Sequence, residues 1–292
     1  MVTSIYRSDD ARRAVEERYR VFLDDWPVPS TESVLPTRQG DTFVVTCGDE
    51  HAPPIVLLHG AGFNSAAWLG DVESWARSHR VYSVDVIGEP GLSAPSRPSL
   101  NSDAYATWLD DVWDGLGVTR AAVVGTSLGG WLALDFALRR PERVTKLVLL
   151  VSAGIGRQRY GAIITSLFLM PFGRRGQRAG MRYVLGPAGV PVSGPMAATL
   201  KALDDYLWLV HKSYRPRRDR LPVFSDDRLR GLDVPLLFIA GEKDRILDSH
   251  HSARRLRHLL PGAVVTLLPD TGHIPTGYAE TVQRFLTGDT RE

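Results

Sequence analysis

Five residues, Gly125-Thr126-Ser127-Leu128-Gly129, carry the strongest chemical signal in the chain. They follow a short apolar run, Ala121–Val124, and open a helical pattern over Leu128–Arg139. A strand that turns tightly into a helix around G-x-S-x-G holds its serine in a strained backbone conformation. The flanking glycines remove side chains that would clash in that turn. A serine hydroxyl is a weak nucleophile until a base takes its proton. His273, in Thr271-Gly272-His273, is the expected base. Of the eight histidines it alone sits beside a glycine just past the last apolar run, Ala263–Leu268. His250, His251 and His258 lie on an arginine-rich helical stretch and read as solvated. A histidine base in turn needs an acid to fix its tautomer. Asp244, in Gly241-Glu242-Lys243-Asp244 after the run Pro235–Ala240, is the expected acid. Glu242 and Asp248 compete for that role, and the bland alternative is a loop carboxylate paired with Lys243 or Arg245. Asp270 reads as a turn residue.

A second glycine-rich turn, His59-Gly60-Ala61-Gly62, directly follows the apolar run Ile55–Leu58. In a parallel sheet this turn lies beside the serine. The backbone N–H groups of Ala61 and Leu128 are therefore the expected oxyanion hole, with that of Phe63 a weaker candidate. Losing one such donor costs on the order of 10²–10³ in rate. His59 reads as a buried residue that shapes the turn.

These residues need strands to carry them. The runs Thr42–Cys47, Ile55–Leu58, Val81–Val86, Ala121–Val124, Val144–Val151, Pro235–Ala240 and Ala263–Leu268 are short and rich in Val, Ile, Leu and Ala. From Ile55 on they are nearly continuous in these residues, as strands buried on both faces of a sheet are. Helical patterns at Ser65–Ser78, Asp103–Leu116, Leu128–Arg139 and Ser249–Leu260 alternate with them. The expected class is α/β, a mostly parallel central sheet with helices on both faces. Residues 8–25 read as a charged amphipathic helix ended by Pro27 and Pro29. From Ser152 to about Gly231 no strand is evident, which predicts a helical cap inserted at the carboxyl ends of the strands. The expected organisation is a helical lead-in (1–40), a core (41–151 and 232–292) and a cap (152–231).

The chain has 292 residues, 43% of them hydrophobic, enough to bury a large core without metal or disulfide. The single cysteine, Cys47, excludes an intrachain disulfide and suits a reducing compartment. Met1–Arg20 is polar, and no stretch of about 18 apolar residues occurs. A cytoplasmic protein without a membrane span is expected. The net charge of +2 gives no argument for nucleic acid. No metal-spaced cluster and no phosphate-binding glycine fingerprint is present, so no cofactor and no metal are expected.

The order Ser…Asp…His and the strand ends that carry it resemble the α/β-hydrolases across most of residues 40–290. The segments APPIVLLHGAGFNSAAW, YSVDVIGEPGLS, YATWLDDVWDGLGV and GTSLGGWLALDFALRRPERV are closer still to bacterial carboxylesterases of the carboxylesterase NP (naproxen esterase) type. That resemblance implies an acyl-enzyme on Ser127 and a small-molecule acyl ester as substrate. Relatives with aspartate at the elbow, the epoxide hydrolases and haloalkane dehalogenases, are set aside by Ser127. Carbon–carbon hydrolases, perhydrolases and hydroxynitrile lyases keep the serine and stay open. Between Ser152 and Phe224 twelve Lys and Arg face three Asp, a surplus of nine on a nearly neutral chain. A basic cap of this kind could draw an acidic carrier protein, as for a thioesterase or cyclase of natural-product biosynthesis. The bland reading is a solvated face. Phe63, Met170 and Trp208 are the expected substrate contacts, with Phe168, Leu169, Met181 and Tyr206 further candidates for an apolar wall; the bland reading of most of the cap's apolar residues is helix packing.

Overall fold

The computed structural model describes residues 4–187 and 195–288. In chain order, helix α1 (Asp9–Asp24) leads into strands β1 (Ser30–Leu35), β2 (Thr42–Cys47) and β3 (Pro54–Leu58). A 3-10 turn at Ser65–Trp68 and the short helix α2 (Val72–Trp75) precede β4 (Arg80–Val84). Then come α3 (Ala104–Gly115), β5 (Ala121–Thr126), α4 (Leu128–Arg139) and β6 (Val144–Leu150). Helices α5 (Gly161–Leu167), α6 (Gly173–Leu185), α7 (Pro195–Ser213) and α8 (Asp226–Arg230) fill the interval before β7 (Leu236–Gly241). Helix α9 (Ser249–Leu259), β8 (Val264–Leu268) and α10 (Ala279–Thr287) complete the order.

The strands form one sheet in the order β1-β2-β4-β3-β5-β6-β7-β8. Pairing is antiparallel for β1–β2 and β2–β4 and parallel from β4 to β8. Successive side chains on a strand point to opposite faces, and the two cores divide on that alternation. Val56, Leu58, Val123, Leu147 and Leu149 join Trp108, Trp113, Trp131 and Phe136 of α3 and α4 on one face. Ile55, Leu57, Val124, Val148 and Leu150 join Tyr19 and Phe22 of α1, Trp75 of α2 and Val282 of α10 on the other. Five tryptophans, 68, 75, 108, 113 and 131, are fully buried. Helix α1 starts at Ser8, whose hydroxyl accepts from the Ala11 N–H at 3.1 Å, with Asp9 and Asp10 favouring its positive end.

Two expected elements differ. Residues 1–40 hold more than a helical lead-in, because Ser30–Leu35 pairs along all six residues with β2. This edge strand is polar and largely exposed, so it lacks the apolar signature of its neighbours. The stretch expected as a helix over Ser65–Ser78 is a 3-10 turn and one helical turn, separated at Gly70. Within 152–231 the described elements are all helical, but α7 does not stand apart from the core. Its Tyr206 and Val210, with Tyr214 just beyond it, are buried in the same cluster as α1.

Candidate active site

The turn at the end of β5 is built by sterics. Ser127 lies at φ 51° and ψ −108°, a left-handed conformation that costs a non-glycine residue about 1–3 kcal/mol. Its N–H donates to the Leu150 carbonyl at 3.0 Å, and its carbonyl accepts from the Trp131 N–H at 3.0 Å. A Cβ on Gly125 would overlap the Gly129 carbonyl, and a Cβ on Gly129 would overlap the carbonyls of Leu58 and His59. Helix α4 is thus packed directly on the end of β3, and only glycine permits it.

Ser127, His273 and Asp244 meet. His273 Nε2 lies 3.1 Å from Ser127 Oγ, and Nδ1 lies 2.8 Å from Asp244 Oδ2. Asp244 is buried at the end of β7. Its second oxygen, Oδ1, accepts from the N–H groups of Ile246 at 2.7 Å and Leu247 at 3.0 Å. The carboxylate is therefore oriented by the main chain before it meets the ring. The competing acids go elsewhere. Glu242 is exposed. Asp248 caps α9 through the His251 N–H at 3.0 Å and pairs with Arg159 at 3.0 Å. Asp270 pairs with Lys243 in solvent.

The histidine turn is held by the insertion. The Gly272 N–H donates to the Pro187 carbonyl and the His273 N–H to the Leu185 carbonyl, each at 2.7 Å. A Cβ on Gly272 would overlap the Leu185 carbonyl, so the close approach requires glycine. From the other side, the Lys243 N–H donates to the Thr271 carbonyl at 2.8 Å.

The turn after β3 lies against the elbow. The position a Cβ would take on Gly60 is 3.4 Å from Ser127 Cβ. His59 is fully buried; its Nε2 accepts from the Val86 N–H at 2.8 Å, so its proton sits on Nδ1, facing the Gly60 carbonyl at 2.8 Å. Burial holds its pKa below the usual histidine value. Gly62, at φ 72°, gives its N–H to Glu89 Oε2 at 2.6 Å. Among the described residues, neither the Ala61 nor the Leu128 N–H has a protein hydrogen-bond acceptor.

Glu89 is the residue that sequence reasoning missed. It is 1% exposed, and the oxygen that takes the Gly62 N–H also accepts from the Tyr214 hydroxyl at 2.7 Å. Burial pushes its pKa up, and the hydrogen bonds and the Arg97 charge pull it back. The available signal was a carboxylate between Gly88 and Pro90, just after a buried strand. Asn64 makes a parallel link, donating to the Pro90 carbonyl at 2.8 Å and to the Tyr206 hydroxyl at 2.6 Å.

The expected substrate contacts divide. Phe63 is half-buried, edge-on to Tyr206 with ring centroids 5.6 Å apart. Trp208 is buried on α7, stacked on His211 at 5.8 Å and beneath the Arg178 guanidinium of α6 at 5.6 Å. The side chain of Met170 lies outside the described residues. Phe168 is 75% exposed, and Tyr206 belongs to the core beside α1 rather than to an open wall.

A model of the alpha/beta hydrolase family matches residues 55–284, so the chain belongs to that family. It is 32% identical over 297 residues to a protein described as an uncharacterized carboxylesterase nap of Bacillus subtilis, covering 94% of this chain and 92% of that one. Against the carboxylesterase YbfK of the same organism it is 29% identical over 287 residues, 93% of each chain. Among solved structures, naproxen esterase (carboxylesterase NP) from Bacillus subtilis aligns with a TM-score of 0.76 and 30% identity, covering 92% of this chain and 95% of that one. A putative hydrolase from the same organism aligns at a TM-score of 0.81 with 28% identity, covering 94% and 99%. The resemblance to the carboxylesterase NP type extends over nearly the whole chain, and the protein is a hydrolase.

Proposed function

We propose that this hydrolase cleaves carboxylic esters of small or medium apolar acids through an acyl-enzyme on Ser127. The observation that carries the reading is the single line of contacts from Ser127 Oγ through His273 to Asp244, at 3.1 and 2.8 Å. His273 Nε2 removes the serine proton as Oγ attacks the acyl carbon. Asp244 keeps the ring proton on Nδ1 and stabilises the imidazolium that forms. The N–H groups of Ala61 and Leu128 receive the oxyanion. His273 then protonates the departing alcohol and activates the water that releases the acid. Carboxylesterase names among relatives that align over more than nine-tenths of the chain support the ester as substrate.

Residues 152–231 serve as a helical cap that shapes the acyl site, with Phe63 and Trp208 in its wall. No described helix is long and apolar enough to cross a membrane. A cytoplasmic location rests on Cys47, which is buried and unpaired. An acidic carrier protein at the cap is a second reading, resting on its surplus of arginine. Four of the twelve cations, Arg159, Arg178, Arg182 and Arg217, are already paired with aspartates, which weakens it.

The test is a panel of p-nitrophenyl esters and acyl thioesters, run beside Ser127→Ala. Ester turnover and labelling by a fluorophosphonate should both vanish in the variant while its melting curve stays in place. Most of the activity surviving in pure Ser127→Ala would remove the serine from the mechanism. Faster turnover of carrier-bound thioesters than of free esters would favour the second reading.

A further inference from the structure

We propose that a cleft lined by Arg7, Arg97, Arg215 and Arg218 binds an organic diphosphate, independently of the reaction at Ser127. The cleft has a volume of about 1010 Å³ and its wall also contains Ser4, Ser96 and three prolines. No carboxylate lines it. Two of its sides are joined by main-chain pairing. Tyr6 and Tyr214 form an antiparallel bridge. The Arg7 N–H donates to the Ser213 carbonyl at 2.9 Å and the Arg215 N–H to the Ile5 carbonyl at 2.8 Å. The bases of two arginines are thereby fixed on neighbouring segments.

Arg97 is fixed more tightly. Its Nε donates to the Gly88 carbonyl at 2.9 Å. Its Nη2 donates to the Tyr214 hydroxyl at 2.6 Å and the Arg215 carbonyl at 2.8 Å. The Nη1 end remains for a ligand. Neighbouring Arg217 pairs with Asp219 at 3.6 Å. None of the four cleft arginines forms an ion pair among the described residues. Glu89, reached from Arg97 through Tyr214, already holds Gly62 and Tyr214 and is buried behind the wall.

Arg7, Arg215 and Arg218 have no ion-pair partner among the described residues, while Arg97 faces Glu89 through Tyr214, and an anion in the cleft turns the mutual repulsion of the guanidinium groups into charge-assisted hydrogen bonds. The planar guanidinium fork of Arg7, Arg215 or Arg218 can match two oxygens of one phosphate, and Arg97 adds a contact through Nη1, so a diphosphate offers acceptors for all four. Inorganic diphosphate leaves much of the cleft empty. The proline surface suits an organic group attached to it.

The experiment is titration calorimetry of the full chain with pyrophosphate at low ionic strength, with orthophosphate and citrate as comparisons. Pyrophosphate should bind with one-to-one stoichiometry and more tightly than either. In the double variant Arg7→Gln/Arg218→Gln its Kd should rise roughly tenfold or more, as loss of two charge-assisted contacts requires. The double variant Arg174→Gln/Arg175→Gln removes the same charge elsewhere and should leave the Kd unchanged. Citrate binding as tightly as pyrophosphate, or both double variants losing affinity equally, would reduce the effect to net charge and overturn the proposal. So would no binding of pyrophosphate at all. Flotation with vesicles carrying a polyprenyl diphosphate separates the sources of the diphosphate. Flotation abolished by Arg7→Gln/Arg218→Gln would assign a lipid head group, and its absence beside pyrophosphate binding a free ligand.

Discussion

Asp244 gives one carboxylate oxygen to the main chain and the other to His273, and this division makes its substitution informative. In Asp244→Asn only the amide oxygen can accept from the Ile246 and Leu247 N–H groups, so the NH2 must face the ring. His273 Nδ1 then becomes the acceptor, and the ring proton moves to Nε2, where it blocks removal of the serine proton. Ester hydrolysis should fall about 10³–10⁴-fold in kcat with KM nearly unchanged. Melting curves and the pH dependence of the residual rate check the cause. A loss of under tenfold would show that the acid does not set the tautomer.

At the scale of elements, the serine depends on how closely α4 is seated on β3. A Cβ on Gly129 meets backbone carbonyls, which cannot rotate away as a side chain could. Gly129→Ala should displace the start of α4, cost about 1–3 kcal/mol in urea unfolding, and slow fluorophosphonate labelling of Ser127. Unchanged labelling with unchanged stability would refute the close seating. This turn was readable in the sequence because its glycines, its apolar strand and its helix are contiguous. The approach of His273 and Asp244 was readable because each follows an apolar run. Glu89 was not, since a loop carboxylate looks solvated until Tyr214, over a hundred residues on, closes over it. Strand β1 was hidden by its exposed, polar residues, and the break at Gly70 by an apolar pattern that continues through it. Which of the cap's apolar candidates only pack, as Tyr206 does beside α1, was not legible, because periodicity marks an apolar face without naming what covers it.

For the whole molecule, α10 is tied to the turn before α2 by a buried pair, the Tyr278 hydroxyl donating to Asp71 at 2.7 Å. Burial raises the Asp71 pKa to about 7, with the Tyr278 hydrogen bond pulling the other way. The folded chain therefore holds a proton that the unfolded chain releases near pH 4. This group's contribution to stability declines as pH rises from about 4 to about 7, and the full penalty applies above that window. Asp71→Asn keeps an acceptor for Tyr278 and removes the titration. Relative to the parent, the variant should gain stability between pH 5 and pH 8, by at most about 3 kcal/mol in urea unfolding. An identical difference at both pH values would assign the effect to another group.

The contacts from Leu185 and Pro187 to the histidine turn bear on how this protein can be recombined. The carbonyls that take the Gly272 and His273 N–H groups belong to residues 152–231, while Lys243 beyond β7 holds the same turn at Thr271. A chimera that exchanges residues 152–231 with those of a relative therefore transplants this part of the histidine's backbone anchor along with the proposed acyl-site wall. Crossover points at the two ends of the insertion cut through a shared unit, and the exchangeable module includes the turn from Pro269 to His273. Chimeras that move the two together should keep turnover while changing substrate preference. Those that move the insertion alone should lose turnover toward every ester.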